Sequence, residues 1–250
     1  MITLLILLAA SALGGAANAL AGGGTFLVFP ALLLAAVTPI KANATASLAL
    51  LPGALASAWV YREAIGTIPK RFLVTMTMAS LAGAFVGSLL LMRTSNATFS
   101  HLVPWLLLIA ASVFTAAPWL RKAAAGLAGH QSLGLLVAGQ FLIAGYGGYF
   151  GAGMGVLMMA LYLAAASMDV HAAAGLRTVC AAAINVLAVA IFTWRGAVDY
   201  KLGLPMLVAG IAGGYWGAHA VKKLKAEGVR RGILIYAWSL TAWFFVRMAT

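Results

Sequence analysis

The chain has 250 residues, 64% of them hydrophobic and only 8% charged. A soluble domain carries about 25% charged residues, so this composition excludes a water-soluble globular protein and calls for an integral membrane protein. Sixteen Lys and Arg against four acids give a net charge of +12. Most of these bases fall between apolar runs, where they anchor loops to anionic headgroups; with no zinc-finger spacing and no aromatic–basic interleaving, nucleic acid is excluded as a partner.

In chain order the apolar runs are 2–20, 25–37, 42–61, 72–92, 102–119, 133–150, 156–167, 172–194, 202–221 and 233–246. Strands are not supported, and only helices of this hydropathy satisfy their backbone in lipid. The expected fold class is therefore all-α transmembrane, with about 8–10 membrane helices. The first run lacks a positive leading segment, so it reads as a membrane span and not as a cleaved signal. Cys180 is the sole cysteine; it reads as a buried thiol, and no intramolecular disulfide exists.

Two runs, 25–37 and 156–167, are too short for a full span. Each follows a glycine cluster, "GGG" at 22–24 and "GAGMG" at 151–155, and each ends in a polar break, "TPIK" or "MDVH". A shift of 131 places Gly14 on Gly145, Gly22 on Gly153, Gly24 on Gly155, Ala42 on Ala173 and Ser47 on Thr178. A shift of 130 then lays "LAGAFVG" (81–87) on "IAGGYWG" (211–217). The pattern predicts a first transmembrane repeat at 1–121, a connecting loop at 122–132 and a second repeat at 133–250. Paired glycine-broken segments point to a transporter's binding site. Gly22, Gly23, Gly24, Gly151, Gly153 and Gly155 would expose helix N-termini to an anion. Tight packing is the other reading of these glycines, and the preferred one for the 81–87 and 211–217 segments.

Behind the short runs, one half carries Asn43, Thr45 and Ser47, and the other carries Arg177, Thr178 and Asn185. An arginine at bilayer depth costs about 2.5–3.5 kcal/mol on insertion scales, which argues for function. Its planar fork suits sulfite, sulfonate, carboxylate or phosphate. Snorkelling to an interface, or pairing with Asp169, is the competing reading. For Thr45, Ser47 and Thr178 the competing reading is bonding to the helix backbone. His171, Lys41 and Asp169 flank the starts of the two helices and are candidates for coupling or gating; His171 also reads simply as a helix-start residue. No carboxylate stands inside a run, against a cation pump, and no metal cluster or nucleophile–base pair is recognisable. The expected protein is not an enzyme, takes no cofactor and holds no metal. Its partners are a small anionic substrate and the bilayer, with a homodimer left open.

"GGGTFLVFPALLLAAVTPIKANATASLA", its second copy "GAGMGVLMMALYLAAASMDVHAAAGLRTV", and the paired segments "YREAIGTI" and "WRGAVDY" resemble the TauE/SafE family. The resemblance covers nearly the whole chain, although the usual "G-T-S" of the second copy is here "G-L-R-T". It implies a multi-pass permease of the bacterial inner membrane with two homologous halves, exporting sulfite or organosulfonates by alternating access. A passive anion channel and a non-transporting scaffold are the alternatives. If each short run turns back on its predecessor, Arg62, Lys70, Arg71, Arg121, Lys122, Lys222, Lys223, Lys225, Arg230 and Arg231 share one side. Lys41, Arg93, Arg195, Lys201 and Arg247 share the other. The positive-inside rule prefers this arrangement, and with it an inverted repeat.

Overall fold

The computed structural model describes residues 2–21, 23–126, 132–166, 168–220 and 226–249. Among them no strand occurs, and the order is α1 (Ile2–Ala21), α2 (Thr25–Leu34), α3 (Pro39–Val60), α4 (Arg62–Gly66), α5 (Lys70–Arg93), α6 (Asn96–Gly126), α7 (Leu133–Tyr149), α8 (Met154–Ala165), α9 (Val170–Trp194), α10 (Tyr200–Ala220) and α11 (Ala226–Ala249). Every apolar run of the sequence meets a helix. The one-turn α4 has no apolar run to announce it. Residues 127–131 of the expected 122–132 connection lie outside the described residues, as does Gly22, while 122–126 continue α6.

Three segments, Lys70–Arg93, Asn96–Ala116 and Val170–Trp194, are long and apolar enough to cross a membrane. The exterior is apolar: Val74, Ile109, Leu142, Val186 and Val208 are exposed. Polar Ser11, Asn43, Thr45, Ser80, Ser88, Gln140 and Thr178 are buried instead. A water-soluble helical protein has the opposite distribution; here the solvent that fits the surface is lipid.

The two short helices are interior elements. α2 has 10 residues and a length of about 15 Å. It ends where Val37 N donates to Leu32 O and Ala36 adopts φ 60°, a left-handed cap of the kind glycine usually supplies. This reversal stops the helix short of the apolar run's end at 37. Phe26, Phe29 and Leu32 are fully buried. Phe29 meets Phe150 edge-on at 5.4 Å and Phe99 at 6.4 Å. α8 has 12 residues and is held differently: Tyr162 OH donates to Gln140 Oε1 at 2.7 Å, and Gln140 Nε2 donates to Ser80 Oγ at 2.7 Å. That chain of bonds ties α8 through α7 to α5, and each of its side chains is fully buried.

Helix pairing crosses between the halves of the sequence. α1 lies against α10, α7 against α5, and α3 against α9 at the centre. In the outer pairs backbone meets backbone. A Cβ at Gly213 would fall on the carbonyl of Ala12, and one at Gly15 on the carbonyl of Gly210. In the other pair, a Cβ at Gly87 would fall on the carbonyl of Gly145, and one at Gly83 on that of Phe141. Lipid supplies no hydrophobic drive between helices, so small residues that let backbones touch provide the van der Waals contact. For the 81–87 and 211–217 segments, packing is therefore the role the structure displays.

Candidate functional site

α3 begins at Pro39 in its first turn, with Thr38 as the extended N-cap. α9 begins after Asp169, whose carboxylate accepts from His171 N at 2.8 Å and Ala172 N at 3.3 Å. Those backbone donors hold the Asp169 carboxyl below its ordinary range. From these starts the two helices pack against each other.

Between them lies a cavity of about 70 Å³. α3 offers it Ser47, Leu50, Ala54 and Ser57, and α9 offers Arg177, Thr178, Ala181 and Asn185. The spacing of three and four residues is that of one helical face. Ser47 and Thr178, Leu50 and Ala181, and Ala54 and Asn185 are each separated by 131 positions, so positions matched by the sequence offset line one cavity.

The first turns of both short helices complete it, through Thr25 of α2 and Met154 and Gly155 of α8. Their N-caps are Gly24 and Gly153, and in place of a capping side chain the backbone closes much of each first turn: Phe26 N and Leu27 N donate to Gly23 O and Gly24 O, and Met154 N and Val156 N donate to Gly151 O and Gly153 O. Gly151 and Gly153 stand at φ 82° and 77°, a left-handed backbone that allows α7 to end and α8 to begin within four residues. Arg177 is half-buried and lies along α8: a Cβ at Gly155 would be 3.4 Å from its Nη1 and 3.5 Å from its Cδ.

Of the expected residues, Ser47, Arg177, Thr178, Asn185, Gly151 and Gly155 line the cavity. Gly23 and Gly24 form the turn into α2 and are buried. Asn43 is buried away from the cavity lining, its Nδ2 donating to Tyr149 O at 3.0 Å; its Oδ1 meets no hydrogen-bond partner among the described residues. Thr45 Oγ1 accepts from Asp199 N at 3.0 Å, pinning the start of α10. Lys41, Asp169 and His171 are exposed at the starts of α3 and α9.

The polar side chains are engaged with their own helices. Ser47 Oγ donates to Asn43 O at 2.9 Å, Thr178 Oγ1 to Gly175 O at 2.7 Å and Asn185 Nδ2 to Ala181 O at 2.8 Å. With those bonds made, the hydroxyls offer the cavity lone pairs, and a hydroxyl must rotate to donate to an anion. The sequence reading missed Asn18, Thr25 and Ser57, which also line the cavity. Asn18 was legible as the one amide in the first apolar run.

A family model described as "Sulfite exporter TauE/SafE" matches residues 7–243. A "Probable membrane transporter protein" of Haemophilus influenzae is 28% identical over 232 residues, which cover 90% of this chain and 88% of that one. "Probable membrane transporter protein ORF9" of a Sinorhizobium species is 26% identical over 240 residues, covering 95% and 90%. "Probable membrane transporter protein YfcA" of Escherichia coli K12 is 24% identical over 233 residues, covering 92% and 85%. No solved structure matches the chain.

Proposed function

The chain belongs to the Sulfite exporter TauE/SafE family, and from that premise we propose that it is a secondary transporter exporting small sulfur-containing anions across the bacterial inner membrane. Sulfite and short organosulfonates are the substrates, and access alternates around the junction of two inverted repeats, 1–121 and 133–250. The supporting observation is the cavity between α3 and α9, which gathers Arg177 and the glycine-capped first turns of α2 and α8. Its volume of about 70 Å³ accommodates several water-sized positions at about 10–15 Å³ each, enough for sulfite or a short-chain sulfonate.

Arg177 supplies the charge, the N-terminal ends of α2 and α8 add partial positive charge, and Ser47, Thr178 and Asn185 exchange their own-helix bonds for the solute. The membrane potential, about 2.3 kcal/mol per charge per 100 mV, drives an anion out of a negative interior. Purified protein in liposomes tests this. Saturable sulfite flux is expected, and Arg177→Ala should cut flux at limiting sulfite by at least about tenfold, the loss of a charge-assisted pair. Flux that rises linearly with sulfite would indicate a passive channel, and absence of flux a scaffold.

A further inference from the structure

Resting on that reading of the site, we propose that the cavity accepts oxyanions whose far end is polar but uncharged, and rejects those whose far end is an ammonium. Among the described residues lining it, Arg177 is the one charged side chain and none is a carboxylate. The described acids stand elsewhere. Glu63 is exposed beside Arg62, Asp169 caps α9, and Asp199 accepts from Leu202 N at the start of α10.

The wall from α1, α2 and α3 is polar but neutral, presenting Asn18, Thr25, Ser47 and Ser57. Asn18 packs against two glycines. A Cβ at Gly24 would come within 3.0 Å of its Cβ, and one at Gly53 within 3.7 Å of its Nδ2. Ser57 donates to Gly53 O, leaving lone pairs that can accept from a solute hydroxyl. A cavity of about 70 Å³ keeps any second cation well within a Debye length, about 10 Å, of the guanidinium. An ammonium would lose its water there, meet a like charge and find no carboxylate among the described lining residues. A hydroxyl of nearly the same size meets only matching neutral groups, so the discrimination is built from repulsion as well as fit.

The probes are hydroxyethanesulfonate and aminoethanesulfonate, near-isosteres that differ in the charge of the far group, each competing with sulfite flux in liposomes bearing the full chain. The hydroxyl compound should compete at least about tenfold more strongly. Asn18→Asp, which adds a countercharge to the neutral wall, should narrow the gap to about threefold or less. Equal competition by the two compounds in the unmodified protein overturns the inference and leaves the anion site standing. Sulfite flux that neither compound inhibits also overturns it, because the neutral wall then reads no far group. An Asn18→Asp protein that transports sulfite with an unchanged gap removes Asn18 from the argument and overturns its part. If that variant does not fold, the comparison in the unmodified protein decides. Absence of saturable sulfite flux that Arg177→Ala alters is a different result, and it sinks the site reading itself.

Discussion

Arg177 was legible because a lone guanidinium inside an apolar run is costly and demands an account. Its neighbours were less so. Thr45 looks identical to Ser47 in the sequence, yet its oxygen receives Asp199 N from 154 residues away, a contact no local pattern encodes. Asn18 has its place at the cavity wall because Gly24 leaves room beside its Cβ, which spacing alone does not show. At this scale the roles separate by chemistry. Ser47→Ala and Thr178→Ala should each reduce sulfite flux by about tenfold at most, since each removes one neutral hydrogen bond of about 0.5–1.5 kcal/mol. Arg177→Ala should reduce it more, and Arg177→Lys should fall between, keeping the charge and losing the fork. Kinetics in liposomes rank all four. Asp169 permits a pH prediction. Its folded-state carboxyl is depressed by the backbone donors of His171 and Ala172. Its contribution is therefore complete above the ordinary Asp value, about 3.9, and is lost as pH falls through the lower folded value. Thermal unfolding in detergent should show an acid-side decline that is shallower in Asp169→Asn, whose neutral amide caps without titrating.

For the elements, hydropathy gave the existence and order of the helices, because runs of this polarity have one stable form in lipid. It overran the end of α2, where Ala36 turns left-handed within an otherwise apolar run. It also missed α4, a single turn of five residues with no periodicity to detect. The glycine segments divide by what surrounds them. A Cβ at Gly87 would fall on the carbonyl of Gly145, whereas one at Gly66 meets nothing within 4 Å. Gly87→Ala should therefore force α5 from α7 and lower stability by about 1–3 kcal/mol, as overpacking does, while Gly66→Ala should leave the melting temperature nearly unchanged. Scanning fluorimetry of the two purified variants makes the comparison. Gly153, at φ 77°, should resist alanine for a different reason, the left-handed penalty of about 1–2 kcal/mol.

Across the whole molecule, the matched offset in the sequence anticipated that the two halves contribute equivalent positions to one cavity. It did not anticipate how unlike their supports are. The Tyr162–Gln140–Ser80 chain that ties α8 has Ala31, Ala9 and Gly210 at the positions offset by 131, 131 and 130. α2 rests on aromatic packing instead. Because α1 pairs with α10 and α5 with α7, neither half contains its own closest neighbours. Residues 1–126 and 132–250 expressed as separate chains should each lack transport and recover it when made together, a result that flux in membranes from single and double expression reads directly.

The crossed pairing also decides which bodies can swing. Where carbonyls of α1 and α10, or of α5 and α7, sit against glycine Cα atoms, the close backbone contact should make each pair move as one beam built from both ends of the chain. The void lies instead along α3 and α9, which makes that seam the expected joint. Any rocking that opens the two faces in turn would thus move mixed beams about that joint, not the amino-terminal half against the carboxy-terminal half. A covalent tie between α1 and α10 should leave turnover intact, while the same tie drawn between α3 and α9 should freeze it.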